Sequence, residues 1–304
     1  MPELELSLLS GSTYVARGPT NIGVYALGGA AEGRAALIDS GNDGDAGKRI
    51  IRACAASSLN IALIANTHSN ADHCGANALV QARTGCAIAA PRVELSFIEH
   101  PEFEPSFVWG GYPLPSLRNK FLMAKSSYVT LPLEAPCLVG DTGIEAIPLP
   151  GHYLGQVGYL TPNRVFFAAD AAASSAILNK YKYYVVYDVA AHLTTLDAIA
   201  ALDVDWIVPS HGEPVQEAGS LIEANKETIL EVGARILEFC GAPGAEPLTP
   251  EGIVSALASA LGLELNHTQY ALFGMTVRSY IAWLCDKAEA TTRMEGNRLL
   301  VERT

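Results

Sequence analysis

Thr67-His68-Ser69-Asn70-Ala71-Asp72-His73 places four potential metal ligands, His68, Asn70, Asp72 and His73, in one short stretch. The apolar run before it, Ile61-Ala62-Leu63-Ile64-Ala65-Asn66, reads as a buried strand, so the cluster lies on a loop at a strand end. Three further runs finish in the same way. They are Pro150-Gly151-His152, Phe166-Phe167-Ala168-Ala169-Asp170 and Val208-Pro209-Ser210-His211-Gly212. Strand ends that converge on imidazole and carboxylate supply the nitrogen and oxygen donors that a borderline-soft ion such as Zn²⁺ takes. The sequence reads as that of a metal site.

Working outward, the first forty residues alternate between apolar strand-like segments and Gly, Pro or Asn turns, which predicts an antiparallel meander. Residues 45–57 place Ile50, Ile51, Cys54 and Ala55 on one helical face. A helix is expected near 75–83 and a short strand at Ala87-Ile88-Ala89-Ala90-Pro91. Helix and strand alternating after a meander give an α/β (α+β) class with two mixed sheets flanked by helices. Residues 91–130 break the rhythm with seven aromatic side chains among prolines, and read as a long irregular insertion. Its two readings are a lid over the metals and a packed surface excursion or dimer contact.

The pattern resembles the metallo-β-lactamase-fold hydrolases, whose signature is H-x-H-x-D-H followed by a His, an Asp and a last His. The resemblance covers roughly residues 8 to 215, and Leu37-Ile38-Asp39-Ser40-Gly41 is similar to the family's early strand, which ends in an Asp near the site. It implies a four-layer αβ/βα sandwich. It also implies that His68, position 70 and His152 hold one metal, that Asp72, His73 and His211 hold a second, and that Asp170 bridges. Here the signature reads H-x-N-x-D-H: Asn70 stands where the family has its second His. An amide oxygen is a weaker donor to Zn²⁺ than an imidazole nitrogen. The expectation is therefore an asymmetric pair of sites, holding one or two zinc ions, with iron or manganese as alternatives.

After His211 the pattern becomes helical: Ala218 to Cys240, then a linker Gly241-Ala242-Pro243-Gly244-Ala245-Glu246-Pro247, a helix capped by Thr249 with Pro250 in its first turn, and another from His267 to Ala288. The expected organisation is a catalytic domain over 1–240 and a small helical, winged-helix-like appendage over 247–304, closed by a hairpin strand at 296–303.

Composition excludes several classes. A chain of 304 residues with a net charge of −12 has no basic footprint for a phosphate backbone, which disfavours nucleic acid. No apolar run is long enough to span a membrane, the acidic start lacks a signal-like basic region, and the six cysteines show no C-x-x-C spacing. A cytoplasmic location and reduced thiols are expected. Cys74 reads as a small packing side chain rather than a ligand, and His100, His192 and His267 as surface or packing histidines. Glu213 is weighed as an orienter of His211 or as a solvated turn residue.

These readings predict a hydrolase of a small ester, thioester or lactone-like substrate using a metal-bound hydroxide, with Asp72 as catalytic residue orienting the nucleophile. Lys182 and Tyr187, following Asp170, are candidate substrate-binding residues, and a homodimer is a candidate assembly. The rival readings are an iron-containing oxygenase or oxidoreductase of the same fold, a nuclease, and a non-enzymatic metal-binding module.

Overall fold

The computed structural model describes residues 4–241 and 246–304. The meander forms the first strands of one sheet: β1 (Leu6–Ser10), β2 (Thr13–Ala16), β3 (Ile22–Ala26) and β4 (Arg34–Ile38) pair antiparallel in sequence order. The sheet continues in parallel through β5 (Asn60–Ala65), β6 (Ala87–Pro91) and β7 (Leu131–Leu133). Helices α1 (Gly44–Ala56), α2 (Ala71–Cys74), α3 (Asn77–Thr84), α4 (Arg92–Glu99) and α5 (Phe103–Trp109) belong to this half. The second sheet comprises β8 (Cys137–Leu138), β9 (Glu145–Pro148), β10 (Val157–Leu160), β11 (Val165–Ala169) and β12 (Trp206–Pro209), in the order β12-β11-β10-β9-β8. Helices α6 (Ser175–Tyr181), α7 (Val189–Ala200) and α8 (Ala218–Phe239) follow its later strands. Then come α9 (Pro250–Leu261), α10 (His267–Asp286) and the hairpin β13 (Ala290–Glu295) and β14 (Arg298–Arg303).

The layers follow from the two-residue period of the strands. In β4, Ala35 and Leu37 face the core that contains Ile50 and Cys54 of α1, while Ala36 and Ile38 face the other sheet. In β11, Val165 and Phe167 join that inter-sheet core, and Phe166 and Ala168 turn outward towards α7 and α8. Strands buried on both faces read as continuous apolar runs rather than alternating ones. Each fully buried Leu or Phe contributes about 1.5–3 kcal/mol, and truncating Phe166 to Ala would cost about 3–5 kcal/mol.

The outer core on the second sheet runs without interruption into the C-terminal elements. Leu149, Phe166 and Ile207 share it with Leu257 of α9 and with Phe273, Val277 and Leu284 of α10. Helix α9 begins where the sequence places it: the Thr249 side chain accepts from the Gly252 amide and Pro250 opens the helix. Asn266 and Gln269 close a reciprocal capping box at the start of α10. Of the expected linker, residues 242–245 lie outside the described residues.

Three details depart from the sequence reading. The helix expected near 75–83 is α3, but it is preceded by a short helix, α2, inside the ligand cluster that the sequence reading did not anticipate. Residues 91–130 are less irregular than expected, since α4 and α5 occupy much of them. The C-terminal strand pairs with β13, which the sequence pattern did not reveal.

Candidate metal centre

Every candidate ligand sits where a strand ends: the Thr67–His73 loop after β5, His152 between β9 and β10, Asp170 after β11 and His211 after β12. Asp39 follows β4. Two glycines let the loops close in. Gly151 and Gly212 adopt φ of +127° and +124°, and a Cβ on either would lie 2.4 Å from His192 or from Ser174. Glycine alone tolerates both the conformation and the approach.

The imidazoles are oriented by acceptors on their outer nitrogens. His73 Nδ1 meets Asp39 Oδ2 at 2.8 Å, His152 Nδ1 the Val185 carbonyl at 2.7 Å, and His211 Nδ1 the Pro19 carbonyl at 2.6 Å. His68 Nδ1 lies 3.0 Å from Thr67 Oγ1, whose own hydroxyl donates to Asp39 Oδ2 at 2.8 Å. Carbonyls and carboxylates only accept, so the Nδ1 atoms of His73, His152 and His211 carry hydrogens, and in the neutral ring each Nε2 offers a lone pair to a cation.

Those Nε2 atoms converge on two carboxylates. Asp170 Oδ2 lies 3.4 Å from His73 Nε2 and 3.7 Å from His152 Nε2, and Asp170 Oδ1 lies 3.6 Å from His211 Nε2. Asp72 Oδ2 lies 3.3 Å from His211 Nε2 and 3.7 Å from His73 Nε2, and accepts from Thr20 Oγ1 at 3.2 Å. Most of these separations are long for hydrogen bonds. They match the roughly 3.4 Å edge between two ligands on one tetrahedral ion with bonds near 2.1 Å. His68 Nε2 and His73 Nε2 are buried and have no hydrogen-bond partner among the described residues. The donor sets His68–His73–Asp170 and Asp72–His73–His211 each fall within 4.8 Å. Orphaned inward nitrogens at coordination spacing fit a divalent cation.

With this geometry in place, comparison with known proteins identifies the fold family. The family model described as the metallo-beta-lactamase superfamily matches residues 15–211. The chain belongs to the metallo-β-lactamase superfamily. Among solved structures it is similar to a beta-lactamase domain protein from Burkholderia ambifaria (TM-score 0.72, 17% identity, 98% of this chain and 93% of that one). It is also similar to a metallo-beta-lactamase family protein from Thermus thermophilus (TM-score 0.71, 18% identity, 100% and 99%). A subclass B3 metallo-β-lactamase of Bradyrhizobium japonicum matches with TM-score 0.56 at 17% identity, over 78% of this chain and 95% of that one. These likenesses bear on fold, and the first two extend across nearly the whole chain. No curated protein matches in sequence.

Superfamily membership brings divalent-metal chemistry of hydrolase type to the cluster, and the electrostatics agree. Burial pushes His68 and His152 down, keeping them neutral as ligands must be. Burial would lower His211 too, yet Asp170 and Asp72 push it up to about 11. His73 is driven upward against burial by Asp72, Asp170 and Asp39. Both aspartates, despite burial, are held well below the usual carboxylate range by His73 and His211. The carboxylates demand positive charge here, and a cation meets that demand.

The structure thus brings together His68, Asn70, Asp72, His73, His152, Asp170 and His211. Asn70 faces the site, its Oδ1 lying 3.3 Å from His152 Nε2. Lys182 and Tyr187 are not brought to it. Lys182 Nζ donates to the Leu261 carbonyl at 2.8 Å, and Tyr187 stacks near Phe107 in a separate groove against α10. Cys74 is buried, with its thiol directed at the Ser69 and Asn70 carbonyls, as a packing side chain. Glu213 pairs with Arg17 rather than with His211, whose Nδ1 is taken by Pro19. His100 is exposed beside Glu102, and His192 is buried against Tyr184.

Sequence reasoning missed two carboxylates, both on the insertion. Glu94 of α4 accepts from Ser69 N (3.2 Å), Ser69 Oγ (2.6 Å) and Gly155 N (2.6 Å). Glu104 of α5 accepts from Asn70 Nδ2 at 2.8 Å and from the Tyr153 hydroxyl. Burial pushes Glu104 up to about 8 in spite of these donors. The insertion therefore braces the ligand loop from behind, and no residue of 91–130 lines the cavity beside the cluster. Among the described residues no helix is long and apolar enough to cross a membrane.

Proposed function

We propose that this chain hydrolyses a small, uncharged ester, thioester or lactone. The observation that carries the reading is the cavity onto which the cluster opens. It measures about 280 Å³, and its lining includes the candidate ligands His152, Asp170 and His211 together with Ile177, Tyr181, Tyr183, Tyr184 and Leu272. No lysine or arginine is among its lining residues. A phosphodiester or carboxylate-bearing substrate would want a cation there, whereas an acyl chain wants apolar walls.

A divalent ion, zinc being the reading favoured by the imidazole-rich set, would polarise the scissile carbonyl and bring the pKa of a coordinated water to about 7. The chain's own residues do the rest. The backbone carbonyls of Val185 and Pro19 and the Asp39 carboxylate hold the imidazoles in the ligand tautomer. The aromatic walls exclude water from the acyl group. In this reading Asp72, partly open to solvent and accepting from Thr20, orients the attacking water and passes a proton to the leaving oxygen or sulfur.

The test is a substrate panel with protein stripped by chelator and reloaded with Zn²⁺ or Mn²⁺. Aryl esters, an acyl thioester and a γ-lactone should be hydrolysed, and bis(p-nitrophenyl) phosphate should not. Activity should disappear on stripping and return on reloading. Reloaded protein that cleaves only the phosphodiester, or nothing in the panel, would overturn this reading.

A further inference from the structure

Asn70 is anomalous where an imidazole would be expected, and its surroundings give it a definite orientation. Its Nδ2 donates to Glu104 Oε1 at 2.8 Å, and Glu104 Oε2 accepts from the Tyr153 hydroxyl. Glu104 and Tyr153 are both buried, only 2% and 1% exposed. Glu104 Oε1 accepts from the amide whether or not the oxygen facing Tyr153 carries a proton. The amide NH₂ faces Glu104 and its oxygen faces the metal cluster.

That orientation creates an otherwise unfavourable contact. His152 Nδ1–H is committed to the Val185 carbonyl, so its Nε2 is a lone pair, and Asn70 Oδ1 stands 3.3 Å from it. Two lone pairs facing each other at that distance do not hydrogen-bond. Two lone pairs at that spacing would suit a shared cation, and the His68 ring, whose buried Nε2 has no partner among the described residues, lies 5.2 Å from that of His152. Flipping the amide would give His152 a donor but would give up the 2.8 Å hydrogen bond from Asn70 Nδ2 to Glu104 Oε1.

We infer that Glu104, from the insertion, is a positioning residue that makes the Asn70 amide oxygen a ligand, completing with His68 and His152 a divalent-cation subsite distinct from the one at Asp72, His73 and His211. Two effects act together. The hydrogen bond fixes the amide rotamer, and the Glu104 oxygen accepting from the NH₂ draws electron density towards the carbonyl oxygen, improving a donor that is weak when unassisted. An amide oxygen suits harder ions better than imidazole does, so this subsite tolerates Mn²⁺ more readily than an all-histidine one. The inference rests on the metal-enzyme reading above but not on any substrate.

The test measures ion binding by competition with a chromophoric chelator, using Zn²⁺ and Mn²⁺ separately, with Co²⁺ absorption as a second readout of coordination number. Wild-type protein should bind two ions. Asn70→Ala and Glu104→Ala should each weaken one of them about 10–100-fold, the range seen when a ligand's supporting partner is removed, and leave the other unchanged. The double variant should be no worse than Asn70→Ala alone. Glu104→Gln, which still offers an amide oxygen to Asn70 Nδ2, should keep most of the affinity and the Co²⁺ spectrum. It also guards against a folding defect in Glu104→Ala, as does retention of the ion that His211→Ala removes. Wild-type affinities for both ions in Glu104→Ala overturn the inference, and so does an equal loss on adding it to Asn70→Ala. A wild-type protein whose one ion is lost in His211→Ala but not in Asn70→Ala overturns it while sparing the hydrolase reading. Wild-type protein that takes up no ion at all sinks both.

Discussion

At the scale of single residues, the side chains that aim the ligands matter as much as the ligands. Asp39 accepts from the Thr67 amide, from Thr67 Oγ1 and from His73 Nδ1, all at 2.8 Å, in a buried setting. In Asp39→Asn the new amide oxygen still serves the backbone N–H, but its NH₂ cannot accept from the hydroxyl or the imidazole. The expected result is a 10–100-fold loss of metal affinity with about 1–3 kcal/mol of destabilisation from the stranded donors. Chelator competition and denaturant unfolding read the two effects separately, and unchanged affinity would refute an orienting role. The candidate ligands were legible in the sequence because, Asn70 apart, each is a His or Asp at or just after the end of an apolar run. Their supports were not. Acceptors such as the Val185 and Pro19 carbonyls have no side-chain signature, and Glu104 reaches Asn70 from a distant aromatic stretch that gives no hint of a buried carboxylate.

At the scale of elements, the strands and long helices follow directly from period and capping, as at Thr249–Pro250 and in the Ile50–Cys54 face of α1. What periodicity could not convey is which elements meet. The aromatic insertion invites a lid, yet α4 and α5 spend their buried glutamates on the ligand loop, and the cavity wall comes instead from α6, the Tyr181–Val185 segment and the first turns of α10. Leu272 of α10 stands in that wall and is not itself a candidate ligand. Leu272→Trp should therefore raise KM about tenfold or more, roughly 1.4 kcal/mol, for aryl esters with long acyl chains. It should leave acetyl ester turnover and bound metal close to wild type. If KM rises equally for acetyl and octanoyl esters, α10 is not part of the acyl subsite.

At the scale of the whole molecule, the C-terminal elements are tied to the metal half through one apolar core, and a buried histidine sits within that junction. His192 of α7 lies under Gly151, bonded through Nε2 to the Tyr184 hydroxyl at 2.8 Å. Burial, helped by the nearby His152, pushes it down to about 3, while Asp170 opposes the shift. Its ordinary value of about 6.5 applies in the unfolded chain. Between about pH 6.5 and 3 the unfolded chain thus binds a proton that the folded one refuses, so stability present above about pH 6.5 is lost as the pH falls. The slope is about 1.4 kcal/mol per pH unit in that window, with an upper bound near 5 kcal/mol in total. His68 and His152 shift in the same direction, so the wild-type slope alone does not isolate His192. His192→Gln keeps a partner for Tyr184 and removes the titration. Denaturant unfolding of chelator-stripped protein at about pH 7, 6 and 5 should show the variant losing less stability per unit than wild type, by an amount approaching that slope below about pH 6. Parallel curves would mean that His192 is not held neutral by burial, and that the junction between α7 and the ligand turn is more open to water than its packing implies.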